Sequence, residues 1–476
     1  MKKIVLTLSA TIFLASCSLI PEYTRPALPM EDAFPTEALT PESTQMAYEI
    51  GWKEYFKDPR LHRYIELALE HNRDLRMAVL NTEAARISSQ ISANERLPDI
   101  DLGASRNRSK AGELSTGQSI INQSYSVNAG ISAFELDFFG RVNALSEADL
   151  NRYLATLEGQ KSAQIALIAQ IARSYTAERL AKEQLALANS TLRANQDSYN
   201  LVKQQVDAGI ATNLDLAQSL GQVQSARVQV AVFERQLQVA KNILQELVGL
   251  EPTHLPEGLS VKNELLMKLP AGLPSEILLL RPDVMQAEYE LRADNANIGA
   301  ARAAFFPRIT LTSTIGTAST HFRDLFSSET QGWVFSPSLS LPIFNWGKTQ
   351  ANVDLAHVRK NISVANYERV IQKAFREVSN GLVSLEPYNR QLRSQINLVN
   401  TTREQLELAE SLYNNGIASY LDVLDAQRSL FSARQALLST YHERTLNGID
   451  LYAALGGGLV KEKGEVFLPQ LQVKKD

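Results

Sequence analysis

The sequence predicts an α + β membrane protein, a trimeric, twelve-stranded outer-membrane β-barrel continued by a long periplasmic α-helical barrel. Three observations support this prediction. The chain begins with a secretion signal that ends at a cysteine, it contains an internal repeat, and each repeat has short alternating stretches followed by very long helical ones. Each chain would contribute four strands, so three chains would supply twelve, an even number within the range of outer-membrane barrels.

The N-terminal residues predict export and a lipid anchor. Residues 1–16 form a signal peptide whose apolar stretch is too short for a membrane span, which needs about 20 apolar residues. Leu14-Ala15-Ser16-Cys17 resembles the bacterial lipobox, whose cysteine receives an S-diacylglycerol and an N-acyl group, and Ser18 in place of aspartate predicts sorting to the outer membrane. Cys17 is the only cysteine, which excludes a disulfide within the mature chain. An ordinary signal peptide with an accidental cysteine is the alternative.

The composition excludes several classes of function. The net charge is -4, so no nucleic-acid partner is expected. No segment after the signal has about 18 uninterrupted apolar residues, so a membrane crossing would require a closed β-barrel. No nucleophile elbow or glycine-rich phosphate loop is present, and we predict no catalytic residue, no metal and no cofactor. The histidines lack metal-ligand spacing: His62, His71, His254, His321, His357 and His442.

An internal repeat divides the chain into two similar parts. Asp74–Pro98 recurs as Asp283–Pro307 at an offset of 209 residues, and Asp207–Asp215 recurs as Asn414–Asp422 at an offset of 207. A nearly constant offset across several landmarks indicates duplication. We assign the first repeat to 72–250 and the second to 281–456, with 17–71, 251–280 and 457–476 outside them.

Each repeat contains a strand pair with period-two alternation. The first pair is predicted within 99–136, with strands from Asp99 to about Arg106 and from Tyr125 to Leu136. The second pair is predicted within 308–344, around a loop from Ala318 to Gly332. Strands of about ten residues cross a bilayer when they are tilted. A soluble four-stranded sheet on a helical bundle is the alternative interpretation.

A long helical hairpin follows each strand pair. The first is predicted at 141–248 and the second at 348–455, with turns at Gly209 and Gly416. A helix of roughly 60 residues is about 90 Å long, far beyond the globular mean, so these helices must pack side by side. Pro387 lies inside the second hairpin and is expected to kink or locally open its first helix.

Several motifs carry a family resemblance over nearly the whole chain. They include Gly51-Trp52-Lys53-Glu54-Tyr55-Phe56, Leu280-Arg281-Pro282-Asp283, Ala303-Ala304-Phe305-Phe306-Pro307 and Leu424-Asp425-Ala426-Gln427-Arg428. With them the sequence resembles the TolC-type outer-membrane efflux protein family, most closely its lipidated OprM branch.

The resemblance implies a homotrimer that forms the outer-membrane exit duct of a tripartite multidrug efflux pump. Its partners would be a periplasmic membrane-fusion adaptor and an inner-membrane RND pump. Drugs and other small compounds would pass through it without any catalytic step. An equatorial belt would be built from the segment after Cys17, from Glu251–Ser275 and from the C-terminal tail.

The resemblance also implies a gate at the periplasmic tip. Leu421 and Asp425 match the family's constriction residues and lie one helical turn apart, so threefold symmetry would form each into a ring. A leucine ring excludes water, whereas three aspartates repel one another and bind cations. Helix packing for Leu421 and a solvated charge for Asp425 are the alternatives. Leu412 stands where this branch commonly has an arginine, so a tip lock by that arginine is not expected to carry over.

The two helix-reversing turns are the predicted contacts of the adaptor. Gly209 and Gly416 are expected in the left-handed conformation that ends helices, and chain reversal alone is the alternative role of both turns. The predicted contact residues are Asp207, Gly209, Ile210, Asn414, Gly416 and Ile417.

Three other functions are weaker matches to the sequence. A lipoprotein enzyme would need the catalytic motifs that are absent above. A periplasmic adaptor would need lipoyl-like and β-barrel segments around one hairpin, whereas this chain has two duplicated hairpins. Copper or silver export is disfavoured because the six methionines form no evident cluster.

Overall fold

The computed structural model describes residues 18–27, 34, 50–112, 119–267, 275–457, 460–462 and 465–466. Cys17 lies outside the described residues. The chain divides into two compact units, and we describe each by itself. The sheet unit comprises the described residues of 1–27, 81–157 and 286–368, and the hairpin unit comprises those of 28–80, 158–285 and 369–476.

The helices and strands follow the duplicated order expected from the sequence. The helices are α1 Trp52–Tyr55, α2 Pro59–His71, α3 Arg73–Asn94, α4 Arg141–Asp207, α5 Asn213–Val248, α6 Pro282–Ala303, α7 Lys348–Asn414 and α8 Tyr420–Ala454. The strands are β1 Asp101–Gly112, β2 Ser119–Leu136, β3 Arg308–Ser319, β4 Gln331–Ser340, β5 Val460–Glu462 and β6 Glu465–Val466. Among the described helices, none has a stretch that is long and apolar enough to cross a membrane.

The sheet unit contains a four-stranded antiparallel sheet in the order β1-β2-β3-β4. β1 extends to Gly112, beyond the end expected near Arg106, because its polar second half stays paired with β2, as at Ser109 and Asn122. Polar composition therefore predicted a loop where the backbone ladder continues. A bulge between Ile131 and Phe134 shifts the register of β2 against β3.

A charge cluster joins the strands to α4 at one end of the sheet. Glu135 at the end of β2 accepts two hydrogen bonds of 2.7 Å from Arg141, the first residue of α4. Arg308, the first residue of β3, approaches the same carboxylate at 2.6 Å. The ring of Phe139 stacks on that of Phe306, with centroids 4.7 Å apart. These contacts fix where the two strands meet the helix.

The hairpin unit has an aromatic core around α1 and α2. The rings of Tyr55 and Tyr452 stack with centroids 4.0 Å apart. Asp58, the N-cap of α2, is fully buried and accepts a 2.6 Å hydrogen bond from the Tyr175 hydroxyl of α4 and a 2.8 Å bond from the Leu259 amide. Burial and the Asp58 carboxylate raise the pKa of Tyr175. The predicted equatorial segments before 72 and after 250 therefore pack on the long helices in this core.

The first helix of the second hairpin runs through Pro387 without interruption. α4 and α7 each contain 67 residues, and Pro387 lies inside α7. The expected local opening is therefore absent. α8 holds α7 on both sides of the proline: Asn447 donates a 3.0 Å bond to the Gly381 carbonyl, and Gln391 donates a 3.4 Å bond to Thr440.

Candidate functional site

The first helix-reversing turn joins α4 to α5. Gly209 has a φ of 75°, in the left-handed region, and the Ile210 amide donates a 2.8 Å bond back to the Gln205 carbonyl. Thr212 then caps α5: its amide donates to the Asp215 carboxylate at 2.9 Å, and its hydroxyl accepts from the Asp215 amide at 3.2 Å. A left-handed glycine followed by a capping box closes the turn within a few residues.

The second turn, between α7 and α8, repeats the same backbone pattern. Gly416 has a φ of 71°, and the Ile417 amide donates a 2.9 Å bond to the Leu412 carbonyl. The Ser419 amide donates to the Asp422 carboxylate at 2.9 Å. Hydrogen bonds from Ser419 lower the pKa of the Asp422 carboxyl group. Both glycines thus adopt the predicted conformation, and the adaptor-contact role of these turns stays a prediction.

A small apolar core lies behind the second turn. Its buried members are Val202 of α4 and Tyr420, Val423 and Leu424 of α8. The Tyr420 hydroxyl lies 3.0 Å from Ser198 Oγ, and burial raises the pKa of Tyr420.

A second tyrosine ties α7 to the first hairpin. Tyr413 donates a 3.0 Å bond to Gln205 of α4, and its ring lies 5.4 Å from that of Tyr420. Two tyrosines from the second hairpin are thus bonded to the first long helix.

The predicted gate residues lie on the uncovered side of α8. Leu421 is 51% exposed, and the Asp425 side chain is 65% exposed. Their neighbours Val423 and Leu424 are buried. Asp425 forms an ion pair of 3.5 Å with Arg428 on its own helix. The structure therefore brings Leu421 and Asp425 together on one face that the protomer leaves open. Their role as a gate stays a prediction.

Sequence reasoning missed the tyrosine contacts and an adjoining cavity. A cavity of 470 Å³ lies between α4, α7 and α8, and Ser198, Val202, Glu410, Tyr413, Tyr420 and Arg434 are among its lining residues. Burial, together with Glu407, raises the pKa of Glu410. The one signal that could have found Tyr420 is its departure from the repeat, because Asn213 stands at the equivalent position.

The residues after Cys17 are bound to α6 in the sheet unit. The Pro21 carbonyl accepts a 2.7 Å bond from Asn295, and Arg25 forms a 2.8 Å ion pair with Glu288. Ile20 lies so close to Gly299 that a Cβ there would be 2.9 Å from the Ile20 nitrogen. Cys17 itself is outside the described residues, and its lipidation stays a prediction.

Comparison with known proteins agrees with this architecture. The family model described as "Outer membrane efflux protein" matches residues 64–250 and 273–457, one stretch in each repeat. The solvent efflux pump outer membrane protein SrpC of Pseudomonas putida is 44% identical over 460 residues, covering 95% of this chain and 98% of SrpC. The cation efflux system protein CusC of Escherichia coli O6:H1 is 43% identical, covering 94% of this chain and 96% of CusC.

A solved structure gives the same fold. The open state of the Neisseria gonorrhoeae MtrE outer membrane channel has a TM-score of 0.87 and 39% sequence identity, covering 94% of this chain and all of that one. The structural neighbours are trimeric outer-membrane efflux channels with a barrel and a helical tunnel, which confirms the predicted fold class. The predicted outer-membrane location and the adaptor and inner-membrane pump partners are also confirmed. The chain belongs to the outer membrane efflux protein family and is the outer-membrane channel of a tripartite efflux system.

Proposed function

We propose that this channel is a passive duct whose periplasmic tip is closed by rings of Leu421 and Asp425 and opens when the adaptor contacts the two turns. The observation that carries the proposal is the open face of α8. A half-exposed leucine and an exposed carboxylate lie one helical turn apart, beside residues that the protomer buries.

The chemistry of this face suits a seal made by symmetry. Around a threefold axis each residue would occur three times, and a ring of leucines would exclude water from a narrow passage. The aspartates would add a ring of negative charge that favours cations and disfavours anions. Arg428 supports the Asp425 side chain from the next turn of α8.

The two turns offer matching apolar contacts for the adaptor. Ile210 is 78% exposed and Ile417 is 74% exposed. Each stands directly after the left-handed glycine of its turn. Exposed apolar side chains at repeated positions suit a partner that binds both hairpins in the same way.

Two further parts of the function belong to this proposal. Cys17 would carry the lipid anchor, because Leu14-Ala15-Ser16-Cys17 resembles a lipobox, and the residues that follow it contact α6 through Pro21 and Arg25. The duct would act by conduction alone, in keeping with a family of channel and transport proteins.

We propose small organic compounds as the cargo. Relatives are named for solvent, toluene and antibiotic efflux, and one relative is named for cation efflux. Deletion of the gene should raise susceptibility to toluene and to several antibiotic classes. A raised susceptibility to copper and silver alone would contradict this choice.

The gate is tested by single-channel recording in planar bilayers. The double variant L421A/D425A should raise the conductance of the closed channel, because it removes both rings. The repeat supplies a matched control, since Leu214 and Gln218 occupy the equivalent positions on α5. L214A/Q218A should leave the conductance unchanged. Equal conductance for the wild type and L421A/D425A would remove these two residues from the gate.

A further inference from the structure

The membrane sheet has one apolar and one polar face. Paired residues of antiparallel strands point to the same side, so the register groups them. Leu102, Ala129, Ile315 and Trp333 form one continuous row, and Val127 and Phe335 lie on the same face. The opposite face carries Ser105, Ser126, Asn128, Thr312, Thr314 and Ser336. The polar face lines the channel and the apolar face meets lipid, as in outer-membrane proteins generally.

Three cations of β1 lie on the lipid face. Arg106, Arg108 and Lys110 alternate with Asn107 and Ser109, so they share a side with Leu102 rather than with the channel lining. All three side chains are exposed. A cation with a role in channel selectivity would belong to the opposite face.

The cations lie in the second half of β1, toward the end of the sheet that is away from the helices. Trp333, an aromatic residue of the type that marks the membrane interface, lies near the start of β4, at the end of that strand away from α7. Arg106 lies four residues beyond Leu102 in β1, about 13 Å along the strand. Lys110 lies eight residues beyond Leu102, about 26 Å along the strand. Because α3 leads into the start of β1 and the helices extend into the periplasm, this end lies in the outer leaflet.

No carboxylate among the described residues neutralises these cations. The ion pairs at the other end of the sheet use Arg141 and Arg308 with Glu135, and none of those described involves the three residues of β1. The Arg106 guanidinium lies 5.4 Å from the ring centroid of its cross-strand partner Tyr125. Cations two residues apart are about 7 Å from each other and repel, so an external polyanion would stabilise them.

We propose that Arg106, Arg108 and Lys110 form a binding site for a phosphorylated glycolipid headgroup in the outer leaflet of the outer membrane. Guanidinium groups bind phosphate oxygens in a bidentate manner, and Tyr125 supplies an amphipathic ring at the same level. The spacing suits a headgroup with more than one phosphate. This site rests on the membrane position of the sheet in the channel, and it is independent of the gate.

The test measures lipid binding by the purified mature trimer in detergent, with native mass spectrometry as the readout. The probes are bisphosphoryl lipid A, monophosphoryl lipid A, phosphatidylethanolamine and inorganic phosphate. Wild type should bind bisphosphoryl lipid A most tightly, and millimolar inorganic phosphate should not displace it. The loss should be about five-fold for each cation removed and on the order of 100-fold for R106Q/R108Q/K110Q.

Two variants control for charge and for folding. R106K/R108K keeps the positive charges but loses the bidentate geometry, so it should bind less tightly than wild type and more tightly than R106Q/R108Q/K110Q. R227Q/R235Q/K241Q removes three exposed cations from α5 and should bind lipid A as wild type does. Should R106Q/R108Q/K110Q fail to assemble, the single variant R108Q, with its expected five-fold loss, takes its place.

Two results would overturn the site: equal binding by wild type and the glutamine variants, or an equal loss in the α5 control. Failure of the channel assignment is distinguishable from both, because wild-type protein would then be missing from the outer-membrane fraction.

Discussion

The two helix-reversing turns have the same backbone and different side-chain attachments. Both have a left-handed glycine, an amide bond back to the same helix position and an aspartate that caps the next helix. The first residue of α5 is the exposed Asn213, whereas the first residue of α8 is the buried Tyr420, bonded to Ser198. Duplication therefore kept the way the chain reverses, while substitution bound the second turn to the first long helix.

The comparison gives a reason for the gate to be in the second hairpin. Leu214 and Leu421 are both exposed, but Gln218 stands where the second hairpin has Asp425. Only the second copy combines the apolar side chain, the charge and the tyrosine anchor. Movement of the second turn relative to α4 would thus require release of the hydrogen bonds of Tyr413 and Tyr420.

The largest expected difference between the turns comes from the tyrosine anchor. Y420A should destabilise the tip by about 3–4 kcal/mol, the usual cost of truncating a buried aromatic residue. N213A should have an effect near zero, because that side chain is exposed. The readout is the rate of tryptic cleavage at the tip of the detergent-solubilised trimer. Equal cleavage rates for the two variants would contradict the proposed asymmetry.

A smaller and equal effect is expected from the two glycines. G209A and G416A should each cost about 1–2 kcal/mol, because alanine is strained in the left-handed region. A Cβ at either position meets no atom within 4 Å, so backbone strain is the only cost. Apparent melting temperatures measured by circular dichroism should fall by similar amounts. A fall confined to one variant would show that the two turns differ in their backbones as well.

The smallest effect is a pH dependence at Asp422. Its folded-state pKa is lowered, so its stabilising contribution is present above the ordinary carboxyl value and is lost as the pH falls through the folded pKa. The melting temperature of D422N should therefore lie below that of wild type at neutral pH and approach it below about pH 4. D207N serves as the control, because Asp207 is an exposed aspartate that does not cap the start of a helix. A gap between wild type and D422N that stays constant down to acidic pH would contradict this prediction.

The repeat made most of the fold predictable from the sequence. Period-two and long helical patterns recur at a fixed offset, so each assignment was supported twice. The end of β1 was missed because Arg106–Gly112 is polar, and polarity cannot separate a loop from a strand that is exposed on both faces. The local opening expected at Pro387 is absent, because α7 continues through the proline and α8 contacts α7 on both sides of it, at Gly381 and Gln391.

The candidate site was less predictable. Leu421 and Asp425 followed from family resemblance, since spacing alone places them only on one face of a helix. Tyr420 and Tyr413 were missed because their partners, Ser198 and Gln205, are more than 200 residues away in the chain. Contacts between the two hairpins depend on how the helices pack side by side, and a single sequence does not encode that arrangement in any local pattern.

The contacts of residues 20–25 with α6 limit how far Cys17 can lie from the protein surface. Only Ser18 and Leu19 lie between Cys17, where the lipid is proposed, and Ile20, which closely approaches Gly299. Three Cα–Cα steps span at most about 11 Å. Because this segment is so short, the acyl chains would enter the inner leaflet directly beside the surface of the protein. Each of the three anchors would then fix the position of its subunit along the membrane normal. An anchor on a long flexible segment would not do so.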